Sequence, residues 1–489
     1  MNEMLEFYEL NLTARQMIAA TAAKKIELTL PEVTRMVLDQ NVDIKISHLT
    51  YDDAKRDITR ERAAFDPVTA ADFGYGASHD PNSSGTATTL GETQDWGASV
   101  TKQIETGGTI SLDASHGRTG RKHAYSTGLG LTVSQPLLEG FGKVALTDIR
   151  IAQHNFTVAR QDLMQSIMDR ISDAQSAYWE ILNAREVLRA RVLSKEQADF
   201  LVQQSKKEME LGKRIYADVL QAEATAASRA EEVLRADNDL QDTQDELKKI
   251  ISVRHYEDWA TEYILLDEID PNFVPEEPDL HWCVATAFDS RPDYRRELTT
   301  LKVRELSLSL ARNALLPDLS IDYTYNFTGA GLGSRESFDA LGSGNFHDWD
   351  LGVSLTFPWW DRDDREAKEQ SRNAMKRQEL NIRDLQLEII RQVRLRVREV
   401  QTDIRRVQAA ELAYILQTKK LEAEQKRLEL GMSTSYQVLL FQEDLANASI
   451  ARIRAIVDYH QALIRLWQTL GITLEKNNIT FDPALVRHP

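Results

Sequence analysis

The sequence predicts a mixed, mostly α fold that is internally duplicated: long coiled-coil helices forming an α-barrel, plus four transmembrane β-strands per chain. Three observations predict it. An alternating strand twice runs into a proline and then into a very long helix. Both long helices carry the same interruption in their apolar seam. Four segments alternate apolar and polar residues with period two.

The first strand is Leu129-Gly-Leu-Thr-Val-Ser-Gln-Pro136, leading to Met209-Glu-Leu-Gly212, and the second is Leu351-Gly-Val-Ser-Leu-Thr-Phe-Pro358, leading to Leu428-Glu-Leu-Gly431. Proline and glycine lie 76 residues apart in one copy and 73 in the other. A helix of about 73 residues is about 110 Å long, more than a soluble domain needs.

In chain order, 1–27 is a lead-in. A helix of the first repeat covers 28–65, opening near Pro31, a favoured first-turn position, and closing before Asp66-Pro67. Residues 66–136 hold strands and a loop, and 137–252 a long helical hairpin. Residues 253–278, with Asp270-Pro271 and Pro275-Glu-Glu-Pro278, read as an irregular connector. The order then recurs: a helix over 279–316, strands over 317–358 around a Gly- and Ser-rich loop at 329–347, and a long helical hairpin over 359–473. Residues 474–489 form a tail.

The helical seams are those of coiled coils. Ala145, Ile149, Ala152, Phe156, Ala159 and Leu163 alternate steps of four and three. Leu163, Ile167 and Ile171 then step by four twice, as do Leu385, Ile389 and Val393. Such a stutter locally unwinds a supercoil, and its recurrence 222 residues later means that the curvature itself is repeated. In a shorter helix Val219, Ala226, Val233, Leu240 and Leu247 keep a strict seven. Helix periodicity alone would fit an ordinary bundle.

The strands break that tie. Trp349, Leu351, Val353, Leu355 and Phe357 alternate with Asp350, Gly352, Ser354 and Thr356. Ile321, Tyr323, Tyr325 and Phe327 alternate with Asp322, Thr324, Asn326 and Thr328. Tyr125, Leu129, Leu131 and Val133 follow the same rule, and Phe73, Tyr75 and Ala77 more weakly. A half-buried sheet on a soluble domain gives this alternation too. Segments of about ten residues, apolar outward and polar inward, are nonetheless what a membrane barrel needs. Tyr323, Tyr325, Trp349, Phe357, Trp359 and Trp360 sit where an interfacial girdle would be. Four strands cannot enclose a barrel, for which about eight are needed, whereas three chains would contribute twelve. A hairpin at Gly97–Ser115, turning at Glu105-Thr-Gly-Gly108, either extends the barrel or forms a loop.

The net charge of −17 argues against nucleic acid as a partner. One cysteine, Cys283, excludes a disulfide framework within the chain. No window approaches the roughly 18 apolar residues of a transmembrane helix. The N-terminus shows no basic region followed by an apolar core, so we expect either an export signal that has been removed or a cytosolic protein.

Taken together, Val133-Ser-Gln-Pro-Leu-Leu-Glu-Gly140, Leu355-Thr-Phe-Pro358, Gly212-Lys-Arg-Ile-Tyr-Ala-Asp-Val-Leu-Gln221 and Gly431-Met-Ser-Thr-Ser-Tyr-Gln-Val-Leu-Leu440 resemble the TolC family of outer-membrane efflux and secretion channels, over about Leu28 to Leu474. The resemblance implies a homotrimer, with a twelve-stranded barrel in outer-membrane lipid above a periplasmic helical tunnel. It implies strand-to-helix junctions at Pro136 and Pro358. It implies that the tips Gly212, Lys213, Arg214, Gly431, Met432 and Ser433 dock a periplasmic adaptor, and through it an inner-membrane RND or ABC transporter. For the aperture gate, Asp218 matches the family aspartate of the first-copy turn. Gln437 stands where the second copy usually has an acid, and Ser433 where an arginine is often found, so this sequence departs from the usual network. Lys213 and Arg214 either replace part of it or are solvated tip charges.

No chemistry is legible elsewhere, and no cofactor is expected. Asp361, Asp363 and Asp364 could hold a cation, but acids at a helix start also favour its dipole. The ten histidines show no metal-ligand spacing. No arrangement suggests a nucleophile. A soluble coiled-coil scaffold and a periplasmic adaptor are the rival readings; adaptors place one hairpin inside a split β domain, whereas this chain has two matched copies.

Overall fold

A computed structural model describes residues 25–81, 88–119, 124–211, 215–254, 256–270, 274–357, 359–430 and 432–480. They belong to two compact units. One comprises the chain up to Leu49, Gln161–Tyr294 and the chain from Asp384; the other comprises Thr50–Arg160 and Arg295–Arg383.

The first unit is helical, with one small ribbon. β1 (Lys25–Leu28) and α1 (Leu30–Gln40) precede α2 (Val42–Arg62). The expected single helix over 28–65 is therefore two helices. The break is set by Asn41, which is buried: its amide donates to the Ile250 carbonyl (2.6 Å), and its Oδ1 accepts from the Ile44 N–H (3.0 Å), capping α2. The expected helix over 279–316 is likewise divided, into α6 (Leu280–Ser290) and α7 (Pro292–Asn313). Pro292 opens the second piece, where its missing N–H costs nothing.

Between these helices lie α3 (Thr147–Glu210), α4 (Tyr216–Ile251), α5 (Tyr256–Trp259) and β6 (Glu262–Leu265). The connector is thus less irregular than expected, because β6 pairs in parallel with β1. The ribbon is held to α3 by side chains. Tyr178 Oη donates to Asp267 (2.5 Å), and the Arg185 guanidinium donates to the carbonyls of Leu265 (2.6 Å) and Asp267 (3.0 Å).

The second repeat supplies α9 (Arg362–Glu429), α10 (Ser435–Leu470) and α11 (Thr473–Lys476). The interrupted seams are the cores. Leu163, Ile167, Ile171, Ala174, Tyr178 and Ile181 are buried in the first repeat. In the second, Ile389, Val393, Val397, Val400 and Ile404 pack with Cys283 and Ala287 of α6 and with Tyr459, Ala462 and Leu466 of α10. Both shorter hairpin helices end on a left-handed residue, Ser252 (φ 63°) and Gly471 (φ 76°).

The second unit is built on one antiparallel sheet of six strands, and here the expectation of four is corrected. β2 (Val68–Pro81), β3 (Thr88–Gln103), β4 (Thr109–Thr119), β5 (Ala124–Pro136), β7 (Asp318–Gly331) and β8 (His347–Thr356) neighbour one another in that order. The hairpin around Gly97–Ser115 is β3 and β4. Its alternation is diluted because alanines (Ala98, Ala114) occupy apolar positions and Lys102 and His116 bound them. The expected sum of twelve strands from three chains took four from each, where this sheet has six.

The expected loop at 329–347 contains α8 (Ser334–Gly342), packed over β5 and β7. Thr127 and Ser337 hydroxyls meet at 2.8 Å beneath it. Gly329 permits that approach, since a Cβ there would lie 2.1 Å from the Ser337 carbonyl oxygen.

Two tests follow from the packing of the helical unit. At Gly471 a Cβ would lie 2.9 Å from the Arg291 Cα, on a backbone that disfavours L residues. Gly471→Ala should therefore lower stability by about 1–3 kcal/mol in thermal unfolding followed by helix circular dichroism. His460 stacks on Trp179 (4.0 Å between rings), and burial pushes its pKa from 6.5 down to about 4. The unfolded chain thus takes up a proton below pH 6.5 that the folded chain refuses until about pH 4. Stability present above that window should fall by about 3 kcal/mol across it, and His460→Gln should flatten the slope.

Candidate functional site

The sheet has two unlike faces, because successive side chains of a strand point to opposite sides. Register puts Phe73, Trp96, Val100, Ile110, Leu112, Leu131, Val133, Tyr323, Tyr325, Trp349, Leu351 and Val353 on one face across all six strands. The Phe73 and Trp96 rings are in contact at 4.5 Å. Away from α8, which packs on the Thr127 end of this face, it is open: Phe73 and Trp96 are each 58% exposed, Leu351 59% and Val353 67%. On β7 the apolar run from Leu319 to Phe327 covers about 27 Å of strand, comparable to the roughly 25 Å apolar band of an outer-membrane barrel.

The opposite face carries Asp72, Asp95, Asp113, Asp322, Asp348 and Asp350 among Gly, Ser, Thr and Asn. Among its described residues there is no Lys, Arg or His. Glycine stands beside most of these acids: Asp72 faces Gly97, Asp95 faces Gly74 and Gly117, Asp113 faces Gly130, and Asp322 faces Gly352. A Cβ on Gly97 would lie 2.3 Å from Asp72 Oδ1, so the small residue makes room for the carboxylate. Among the described residues, no strand lies beside the outer edges of β2 and β8.

Where β5 hands over to helix, Pro136 is the last strand residue, and Gly140 (φ 74°) and Gly142 (φ 70°) turn the chain. The β3–β4 turn is docked on this junction. The Gly142 N–H donates to the Thr106 carbonyl (2.9 Å), and the Thr106 hydroxyl donates to Gln135 (2.7 Å). Burial, and then the charges of Asp318, Asp364 and Asp361, push the Glu139 carboxyl up. The Asp364 N–H donates to Asp361 Oδ1 (3.1 Å), as at a capped helix start. Among the described residues no cluster of His, Cys, Asp and Glu could hold a metal.

At the hairpin tips, in the other unit, Gly212, Lys213, Arg214 and Gly431 lie outside the described residues, as does Pro358 at the second junction. Asp218 and Ser433 line one groove of about 450 Å³ together with Glu208, Thr434 and Tyr436, so the two repeats meet there. Ser433 donates to Glu424, which also pairs with Arg427 (3.1 Å). Gln437 is engaged through its backbone, donating to the Thr434 cap. Exposed apolar side chains surround these positions: Leu211, Ile215, Tyr216, Leu430, Met432 and Tyr436. Their apolar character at otherwise polar helix ends was the available signal for them.

Above the tips the repeats are joined by polar contacts between α3, α4 and α10. Arg229 is buried, donating to Ser194 Oγ (2.7 Å) and pairing with Glu443 (3.1 Å). Arg454 pairs with Glu180 (2.6 Å), and Gln468 donates to Asp169 (2.8 Å). Arg229 alters the expected seven-residue seam of α4. The fully buried line runs through Val219, Ala222, Arg229, Ala236 and Leu247, while Ala226, Val233 and Leu240 are half-buried.

Residues 33–252 and 285–472 match the family described as outer membrane efflux protein. The outer membrane protein TolC of Vibrio cholerae is 22% identical over 367 residues, covering 73% of this chain and 79% of that one. The solved Campylobacter jejuni CmeC outer membrane channel aligns with a TM-score of 0.68 at 16% identity, covering 93% of this chain and 88% of that one. VceC of Vibrio cholerae gives 0.68 at 13%, over 90% and 96%. The open state of the Neisseria gonorrhoeae MtrE channel gives 0.66 at 14%, over 93% and 94%. At such identities the likeness of structures is one of fold. No helix among the described residues is long and apolar enough to cross a membrane.

Arg229→Met would strip Ser194 and Glu443 of a buried partner. A loss of about 1–3 kcal/mol in chemical denaturation is expected, moderated because water reaches Glu443. Glu443→Gln, which keeps an acceptor, should cost less.

Proposed function

Because the chain belongs to the outer membrane efflux protein family, a family of channels and not of enzymes, we propose that it is the outer-membrane exit duct of a tripartite efflux pump or type I secretion system. Three copies form the duct, with the sheets in outer-membrane lipid and the helical hairpins extending into the periplasm. The tips, Gly212 to Arg214 and Gly431 to Ser433, dock a periplasmic adaptor. An inner-membrane RND or ABC transporter supplies the energy, and passage through the duct is passive.

The observation that carries this reading is the broad exposed apolar face backed by an acidic one. Water makes so much open apolar surface costly, whereas lipid accepts it. A soluble scaffold would bury that face. The exposed apolar groups around the tips support a protein partner there, since contiguous apolar patches mark docking surfaces. The groove shared by Asp218 and Ser433 supports a gate at the tips; the Glu424–Ser433 contact and Gln437 take the place of the expected second acid. Cargo moves along the polar strand face, whose carboxylates raise the local concentration of cations.

Planar-bilayer recording of detergent-extracted protein should give a small, cation-preferring conductance, and failure to insert under any condition would overturn the duct. Leu351→Arg puts a charge on the apolar face at a cost of about 2–4 kcal/mol and should reduce the assembled fraction in membranes. Ser354→Arg, on the opposite face, should assemble and weaken the cation preference. Equal assembly of the two variants would refute the assignment of faces.

A further inference from the structure

We propose that the wall closed in the membrane has eighteen strands, with β8 of each copy pairing with β2 of the next and the β3–β4 hairpin built into the wall. This rests on the three-copy reading above and fixes what that ring must look like.

Four observations converge. First, β3 and β4 are registered between β2 and β5, and Trp96, Ala98, Val100, Ile110, Leu112 and Ala114 carry the apolar face across them, between His116 at one end and Lys102 at the other. Asp95 and Asp113 continue the acidic one. Second, the inner turn of the hairpin is anchored, not free. A Cβ on Gly107 would lie 2.1 Å from the Gly140 carbonyl oxygen, and the Gly142 N–H is spent on Thr106. That turn therefore sits level with the strand-to-helix junction, as the inner rim of a wall strand must.

Third, the strands alternate in direction from β2 to β8, and six is even. A β8 edge placed beside the next β2 is antiparallel, so the pattern continues around a ring without a misfit. Fourth, the sheet already has a barrel's shear. The row Val68, Thr101, Ser111, Thr132, Thr324, Asp350 crosses all six strands and reaches β8 six residues before its end at Thr356. If both strand ends mark one rim, the offset is about 20 Å over five spacings totalling about 24 Å, a tilt of about 40°. Barrel strands tilt by roughly 35–45°.

The edges leave no alternative to pairing. Hydrocarbon offers no partner to the open N–H and C=O groups of β2 and β8, and six strands are too few to close alone. Barrel diameter grows roughly linearly with strand number, so this ring is about one and a half times as wide as one of twelve. Glycines beside the aspartates leave its bore open.

Native mass spectrometry of the detergent-extracted full chain counts copies, and electron cryomicroscopy of the same sample counts strands. Three copies with eighteen strands are expected. Three copies around a twelve-stranded wall, with residues 88–119 outside it, would overturn this inference and leave the duct standing. A twelve-stranded ring of two copies would overturn the inference and the copy number together. Spin labels provide an independent reading in a Cys283→Ala background. Leu112→Cys should be severalfold more accessible to oxygen in the lipid than Asp113→Cys, which should favour a water-soluble nickel chelate. The pair Leu351→Cys and Gly352→Cys serves as the control. Aqueous labels on β4 with a normal β8 control refute the eighteen-stranded wall alone, whereas aqueous labels at both places refute the duct.

Discussion

Two rows of backbone N–H and C=O groups, on the outer edges of β2 and β8, are the constraint on which the architecture turns. In water an exposed sheet edge is an aggregation hazard, and in hydrocarbon it is an unmet demand worth several kcal/mol per group. A sheet with open edges and a broad exposed apolar surface is not finished by the residues beside it. If the sheet lies in lipid as proposed, self-association supplies what the backbone lacks. The apolar face and the open edges would both be relieved by the closed ring in lipid that we propose.

The helical unit meets a different constraint, that of joining two copies of one motif which are no longer identical. Their cores follow the same interrupted seam, but the contacts between repeats are polar: Arg229 with Glu443 and Ser194, Arg454 with Glu180, Gln468 with Asp169. A buried ion pair contributes little net stability compared with apolar packing, yet breaking one is costly. Such contacts define one register between repeats. Duplication also leaves asymmetries. The first repeat carries the β3–β4 hairpin and the second carries α8 over the strands. One hairpin helix ends on Ser252 in a left-handed backbone where the other has glycine.

Periodicity was a reliable guide wherever one face of an element is buried or greasy along its full length. The steps of four and three, with their shared stutter, named Leu163, Ile167, Ile171, Ile389 and Val393 as core, and these are buried. Strands β5, β7 and β8 announced themselves by alternation because their apolar positions hold Leu, Val, Tyr and Trp. Where alanine or a charged residue fills those positions, as in β3 and β4, the signal thins and only hydrogen bonding to neighbours defines the strand. The helix breaks at Asn41 and Arg291 were invisible for a related reason. Asn41 interrupts the helix by bonding to Ile250, more than two hundred residues away.

From the sequence alone came the duplication, the long helices, the two-faced strands and the family, because each is a local pattern repeated until chance is excluded. The strand count, the docking of the β3–β4 turn on Gly140 and Gly142, the burial of Arg229 and the shared groove of Asp218 and Ser433 were decided in three dimensions. Each of these depends on which distant backbone or side chain satisfies a polar group, and pairing across such distances leaves no trace in residue spacing.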